Sequence, residues 1–479
     1  MRIKVILHII GGLLILLGFS LMFPVIVGLY YGETDAIDFL LLALFILPSG
    51  FVIYYLFRSP LDIRYPEGFL IVTISWLVVS VVGAIPFITT HTLTNFADAF
   101  FESVSGFTTT GATVIMSLEH VSQTILFWRS LSHWMGGMGI IVMSMAILPE
   151  LAGKMQLFKA EVPGPMHERL KPRIRETART LFWIYFSLTV IQLILLYLNG
   201  MSLFDAIIHS FGTVSTGGFS SRTLSVRAYN SDAVDWIVTI FMFLAGVNLA
   251  LYYQTFRGKV KVIFKNQEFR VYTGIVLTFT LFITINLRLN VYQNLYQSFK
   301  YAAFQVVSII TTTGYSIVDY DIWPPLSHWL LLLLMFIGGC AGSTAGGIKI
   351  IRIYTLIKKC RLELFKLRHP RAVNRLTIGK DPISEEVSTG ILEFFFLYIL
   401  VFAITVICLT SYGVDLISAI SAVAATLGNI GPGLELVGPL NSFMPLPNTV
   451  KFILSGCMLM GRLEIYTVLV VIFSGFSKK

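Results

Sequence analysis

Apolar residues run along this chain in long blocks, and the blocks recur in the order long, short, long. Two come first, roughly 5–31 and 38–57. Four pairs follow: about 68–90 with 123–149, 180–199 with 234–256, 270–287 with 327–356, and 388–411 with 449–474. Each approaches the ~20 residues that cross a hydrocarbon core. The first block opens Met1-Arg2-Ile3-Lys4 and continues to about Tyr31 without a small-residue cleavage site. It reads as a retained span, not a signal peptide. Between the members of each pair lies a shorter apolar stretch of about 12 residues, such as Phe96–Phe107 and Leu416–Leu427. A helix of that length is ~18 Å long and cannot cross ~30 Å. These stretches are therefore re-entrant or interfacial.

Charge decides the count of spans. Lys and Arg gather between the long blocks: Arg58 and Arg64 in 58–67, and Lys154, Lys159, Arg169, Lys171, Arg173, Arg175 and Arg179 in 150–179. Arg257, Lys259, Lys261 and Lys265 lie in 257–269, many more in 357–387, and the sequence ends Lys478-Lys479. Positively charged loops face the cytoplasm. All of these fall on one side only if the short stretches do not span. That gives ten spans with both termini cytoplasmic; fourteen spans do not fit. Only 13% of the 479 residues are charged and mean hydropathy is +0.79, against about 25% charged in a soluble domain. The net charge of +9 thus reads as cytoplasmic loops and implies no nucleic-acid partner. Four cysteines, at 340, 360, 408 and 457, show no paired metal spacing. Cys408 and Cys457, within apolar runs, read as small core residues.

Each short stretch ends in a Thr-, Ser- or Gly-rich run: Thr108-Thr109-Thr110-Gly111, Ser215-Thr216-Gly217-Gly218, Thr311-Thr312-Thr313-Gly314 and Gly428-Asn429-Ile430-Gly431. Aligned on Gly111, Gly218, Gly314 and Gly431, the four have alanine twelve residues earlier (Ala99, Ala206, Ala302, Ala419). Six residues earlier each has a small residue: Ser105, Gly212, Ser308 or Ala425. The anchor glycines lie 107, 96 and 117 residues apart, so the unit is span, short helix, loop, span. The fold class is an all-α integral membrane protein. It divides into a two-helix segment, 1–60, and four pore repeats at 61–155, 156–260, 261–365 and 366–479, the third with a broken second helix.

For one run alone, a bland reading suffices, because glycine is the usual left-handed residue just past a helix C-terminus. Four copies at matched positions call for more. A dehydrated cation needs oxygens in place of its hydration shell, and backbone carbonyls from four pseudo-symmetric loops can supply them. Glycine permits the φ values that turn such carbonyls inward, and irregular backbone at membrane depth is tolerated where it lines a path. The helix C-terminal ends add partial negative charge. The candidate ion-binding residues are Thr109, Thr110 and Gly111; Thr216, Gly217 and Gly218; Thr312, Thr313 and Gly314; and Asn429, Ile430 and Gly431. The fourth loop diverges most, so fewer well-formed ion sites are expected than in a symmetric tetramer.

These loops, the stretch His133-Trp134-Met135-Gly136-Gly137-Met138-Gly139, the run Gly338–Lys349 and Gly461-Arg462 together resemble the bacterial Trk/Ktr and plant HKT superfamily of potassium transporters. The resemblance covers essentially the whole chain. It implies a K+-permeable pore, K+ as the bound and transported ion, and a homodimer in the bacterial inner membrane. It also implies a cytosolic, TrkA-like nucleotide-binding regulatory ring. In the superfamily, glycine at all four anchors goes with K+ and serine at the first with Na+ preference; Gly111 occupies the first here. The family also has an intramembrane gating loop where this chain has Gly338–Gly347.

The residues support a gate there on their own account. Gly338, Gly339, Gly342, Gly346 and Gly347, with Ser343 and Thr344, crowd ten residues of the third unit's second span. Glycine is costly in a helix interior, so a broken helix is expected; a small-residue packing face is the alternative. Arg462, in mid-span, costs at least ~2.5 kcal/mol at the bilayer centre, and a pore-facing position or a carboxylate partner accounts for it. Glu464 is two residues away and on another helix face. Lys349 and Arg352 fit membrane anchoring or gating equally well.

Asp98, Glu102, Asp205 and Asp415 are candidates to concentrate cations at the mouth, or are ordinary caps and solvated charges. His133 is expected to pack beside Trp134, since no second metal ligand stands at Gly137. Loops 150–179 and 357–387 are the expected contacts for a cytosolic partner or for membrane lipid. No G-x-G-x-x-G, G-x-x-x-x-G-K-S/T or H-E-x-x-H motif occurs. An enzyme is not expected, nor nucleotide binding by this chain. The rival class is a secondary transporter coupling K+ to H+ or Na+, whose folds also use broken helices. Those usually carry inverted repeats and midplane carboxylates, whereas these units run parallel.

Overall fold

The structure, a computed structural model, describes residues 3–59, 65–146, 174–371, 375–379 and 381–474. Most of the basic loop 150–179 lies outside the described residues, as do Lys478 and Lys479. The architecture is helical, with a two-stranded hairpin at Thr377–Ile378 and Asp381–Pro382.

Helices α1 (Ile3–Tyr31) and α2 (Asp35–Leu56) form an antiparallel hairpin. Small residues let their backbones meet: a Cβ on Gly50 would lie 2.8 Å from the Ile15 amide nitrogen. The first unit is α3 (Tyr65–Thr89), α4 (Phe96–Phe107) and α5 (Gln123–Ala146). The second is α6 (Ile174–Leu198), α7 (Leu203–Val214), α8 (Asp232–Ala245) and α9 (Leu249–Phe256). The third is α10 (Gln267–Asn290), α11 (Leu295–Ile310), α12 (Pro325–Met335) and α13 (Ile350–Arg368). The fourth is α14 (Glu385–Ser411), α15 (Leu416–Leu427), α16 (Asn448–Arg462) and α17 (Glu464–Ser474). Among the described residues, six helices are long and apolar enough to cross a membrane, and two bent pairs pass together.

The short helices α4, α7, α11 and α15 start where the sequence offers a cap. Asn95, Ser202, Asn294 and Asp415 accept from the amides of Ala97, Asp205, Tyr296 and Ser418 at 2.9–3.0 Å. Such caps are each worth ~1 kcal/mol. The matched alanines Ala99, Ala206, Ala302 and Ala419 are fully buried, so only a small side chain fits that face.

The expected break in the third unit is present, from Phe336 to Lys349 between α12 and α13. Sequence reasoning placed a break there alone; the second segments of two other units are bent as well. α8 and α9 meet at 94° and α16 and α17 at 118°. Asn248 caps α9 through Ala250 N (2.8 Å) and fixes the first elbow. Glu464, at φ 53°, fixes the second. Arg462 is consequently the last residue of α16, at the elbow, and not in mid-helix.

The N-terminal hairpin is tied to the first unit by charge. Glu33 accepts from the amides of Gln123 and Thr124 at 2.8 and 2.9 Å and from the Thr124 hydroxyl at 2.6 Å. Asp35 accepts from Ser122 Oγ at 2.5 Å. Two carboxylates thus sit at the positive N-terminal end of α5. Glu33→Ala should lower stability by about 2 kcal/mol, read as a lower melting temperature in detergent; an unchanged melt would mean that the hairpin does not brace the first unit.

Candidate functional site

Each short helix ends in the same turn. In the first unit Thr109 N donates to Gly106 O (3.1 Å) and Thr110 N to Ser105 O (2.9 Å). The second pairs Thr216 N with Thr213 O (3.0 Å) and Gly217 N with Gly212 O (2.8 Å); the third pairs Thr312 N with Ile309 O and Thr313 N with Ser308 O, both 2.9 Å. The fourth pairs Asn429 N with Thr426 O (3.2 Å) and Ile430 N with Ala425 O (2.8 Å). This bond pair is the Schellman motif, whose residue just past the cap is left-handed. Here that residue is Thr109, Thr216, Thr312 or Asn429, at φ 52–56°.

The simple reading of the anchor glycines as helix-terminating residues is therefore corrected. They lie two positions further on and are left-handed in their own right, with φ of 84°, 80°, 79° and 107°. The small residue six before each anchor also gains a cause, since its carbonyl closes the turn. A β-branched residue at positive φ is strained by roughly 1–3 kcal/mol, and the first three loops each carry one.

The loops interlock in a circle. A Cβ on Gly111 would collide with the Gly217 carbonyl, one on Gly218 with the Thr313 carbonyl, and one on Gly314 with the Ile430 carbonyl. On Gly431 it would lie 2.8 Å from the Thr110 carbonyl. In every case the oxygen belongs to the residue before the next loop's anchor. Outside the ring is a cavity of about 380 Å³ lined by Gly111, Gly218, Gly314 and Pro432.

Side chains tie the ring together and to its surroundings. Thr108 and Thr110 hydroxyls lie 2.7 Å apart, as do those of Thr311 and Thr313 at 2.8 Å. Asn429 Nδ2 donates to Thr110 Oγ1 (2.9 Å) and to Met458 O (3.0 Å). Thr216 donates to Ser215 O, whereas Thr109 Oγ1 is buried with no hydrogen-bond partner among the described residues. His133 lies behind the ring with Nδ1 2.6 Å from Gly106 O. Its ring stacks on Phe219 at 4.0 Å and not beside Trp134, which packs on Tyr185 and Phe211.

The glycine-rich segment is a compact loop pressed against this ring. Gly346 N donates to Thr312 Oγ1 at 2.7 Å. Thr344 Oγ1 donates to Val214 O, the last carbonyl of α7, at 3.1 Å. Gly338 N bonds Ile348 O (2.9 Å), and Ser343 Oγ donates to Cys340 O (2.6 Å). Close approach excludes side chains at several points: a Cβ on Gly346 would lie 2.9 Å from Asn429 Cβ, and one on Gly339 2.9 Å from Gly246 O. Gly342 and Gly347 are left-handed. The loop also docks on the α8–α9 elbow, through Cys340 N to Gly246 O (2.9 Å) and Leu249 N to Gly342 O (3.1 Å). That elbow escaped sequence reasoning, although Asn248 is a recognisable cap residue.

Arg462 reaches the same loop. Its Nη1 donates to Thr344 O at 2.9 Å and its Nη2 to Gly136 O at 3.2 Å. Glu464 pairs instead with Arg352 at 2.6 Å, and the Arg352 guanidinium lies 4.1 Å from the Phe394 ring centroid. Arg352 is buried and so is not a headgroup anchor, while Lys349 donates to Ala345 O within the loop. The acidic candidates for the mouth are engaged elsewhere. Asp98 pairs with Lys451 at 2.5 Å, Glu102 with Arg129 at 2.8 Å, and Asp205 accepts from Ser221 at 2.5 Å. Asp415 is a helix cap, as one reading had it.

The TrkH family, described as cation transport protein, matches residues 39–478. The Trk system potassium uptake protein TrkH of Salmonella typhimurium is 40% identical over 485 residues, covering 100% of both chains. The TrkG protein of Escherichia coli K12, of the same description, is 36% identical over 99% of this chain and 98% of its own. The crystal structure of the potassium transporter TrkH from Vibrio parahaemolyticus superposes with a TM-score of 0.91 at 37% identity, covering 100% of each chain.

The two partner states of the left-handed threonines can be separated by substitution. Thr109→Gly removes strain and an unpartnered hydroxyl, and should leave the melting temperature unchanged or higher. Thr312→Gly deletes the acceptor of the Gly346 amide and should cost about 1–3 kcal/mol. Equal losses in the two variants would refute this division.

Proposed function

The chain belongs to the TrkH family of cation transport proteins, and from that premise we propose that it takes up potassium across a bacterial inner membrane through a selectivity filter of four loops. The filter comprises Thr109, Thr110 and Gly111; Thr216, Gly217 and Gly218; Thr312, Thr313 and Gly314; and Asn429, Ile430 and Gly431. The observation that carries this reading is the circular fit of each anchor glycine against the carbonyl before the next one. Four backbone oxygens held so closely are preorganised to replace the hydration shell of a monovalent cation, and the C-terminal ends of α4, α7, α11 and α15 add negative potential.

Gly338–Gly347 with Arg462 forms the gate. Passage requires the loop to leave Thr312, Thr344 to leave Arg462, and Cys340 to leave Gly246. Arg462 holds the closed loop through Thr344 and adds a positive charge that opposes cations. The chain acts as a homodimer in lipid. A cytosolic TrkA-like ring carries the nucleotide and acts through the basic cytoplasmic loops and α13, which continues directly from the gate loop.

Purified protein in proteoliposomes should pass K+ and Rb+ well and Na+ and Li+ poorly. Equal passage of all four, or of none, would overturn the selective pore. Gly111→Ser, which forces a side chain against the Gly217 carbonyl, should weaken discrimination against Na+. Arg462→Ala should raise K+ flux without the regulatory subunit by about tenfold, since it removes charge-assisted hydrogen bonds worth ~1.5–3 kcal/mol; unchanged flux would refute the barrier.

A further inference from the structure

The four strands that leave the filter loops are joined by a second circle of contacts, outside the first. Glu102 on α4 and Arg129 on α5 form a buried ion pair, Nε to Oε1, at 2.8 Å. Glu102 also accepts from Val114 N (2.9 Å) and Thr113 Oγ1 (3.0 Å), three and two residues past Gly111. Arg129 Nη1 crosses to the second unit and donates to Ser220 O at 3.2 Å, with its guanidinium 4.0 Å from the centroid of the Phe219 ring. Ser220 lies two residues past Gly218. From the third unit, Tyr315 OH donates to Phe219 O at 2.9 Å, and Tyr320 OH donates to Gly433 O of the fourth at 3.0 Å. Phe443 N, from the fourth unit, closes the circle on Thr113 O at 2.9 Å. Each strand is thus held one or two residues past its anchor, at Thr113, at Phe219 and Ser220, at Tyr315 and at Gly433, with Tyr320 and Phe443 reaching back from further along the third and fourth units, and of these joints the first carries charge.

We infer that Glu102 and Arg129 are positioning residues for ion selection, acting through this belt to hold the four carbonyls at the separation that distinguishes one alkali cation from another. The inference rests on the filter reading given above. The pair is fully enclosed, and a buried ion pair is weak as a source of stability yet strongly directional when its hydrogen bonds are satisfied. It touches no ion. Its carboxylate fixes the strand of the first loop and its guanidinium the strand of the second. Loss of either partner lets these two carbonyls move apart while the inner glycine contacts persist. The tyrosines do the same at the next two joints with neutral bonds.

The test compares K+ and Na+ flux in proteoliposomes for Glu102→Gln, Arg129→Lys, Tyr315→Phe and Tyr320→Phe, with Asp232→Asn as a control that removes one of the two Lys300 ion pairs, away from the belt. Each belt variant should retain K+ flux while its K+ to Na+ ratio falls, by about tenfold for Arg129→Lys, and the control should keep the wild-type ratio. Retained K+ flux with an unchanged ratio, a parallel loss of both fluxes, or an equal fall in the control would overturn the inference. If the charge variants do not fold, the tyrosine variants decide, since Tyr→Phe preserves packing. Hydrogen exchange at the amides of Val114 and Ser221 gives an independent reading: faster exchange in the variants supports the belt, and unchanged exchange overturns it. Wild-type protein that does not discriminate at all would refute the filter reading, and the exchange result would then decide on the belt alone.

Discussion

A helix that ends within a bilayer must find partners for its last carbonyls, because no water is there to serve them. Four helices of this protein do so, and much of the structure follows from how they are satisfied. Each uses the Schellman turn, which folds the chain back on the helix end and sends it into the interlocked loops. At three of the four, the last-residue carbonyl also meets the second segment of a unit. Gly136 and Gly461 present bare Cα atoms to the last-residue carbonyls of α4 and α15, Phe107 O and Leu427 O, where a Cβ would collide. Thr344 supplies its hydroxyl to the end of α7. Glycines scattered in the sequence thus answer one requirement.

Much of this was legible beforehand. The short apolar stretches appear as the short helices α4, α7, α11 and α15, each between two longer segments of its unit. The offsets of six and twelve residues located the carbonyl that closes the turn and a buried face of α4, α7, α11 and α15. What was not legible depends on contacts between distant segments. Nothing local marks Thr109 or Thr312 as left-handed, since β-branched residues rarely adopt that conformation. The 118° elbow at Leu463 lies in an apolar run without proline. The partners of Arg352 and Arg462 required the loop and the elbow to be brought together; Glu464 was set aside as a local partner for Arg462, but nothing in the sequence pointed to its pairing with Arg352.

The glycine-rich loop and the ring of four loops share structure. The Thr312 hydroxyl belongs to one turn of the ring and also accepts from the Gly346 amide, and Asn429 borders both Gly346 and α16. Any proposed movement of the loop changes what these residues bond to. Coupling of this kind is reciprocal, so under the proposed function occupancy of the ring and position of the loop bias one another without a separate relay.

The ring is also not equally rigid around its circumference. Three of its joints press backbone on backbone, and a methyl group at Gly111, Gly218 or Gly314 has nowhere to go. At the joint between the last loop and the first, Gly431 has more room, and the Asn429 side chain spans the gap to Thr110. Three corners are therefore written in the absence of a side chain, and a side chain there must displace the neighbouring carbonyl. The fourth is written in one exchangeable residue, which makes it the corner where inherited sequence change can adjust the aperture without dismantling it.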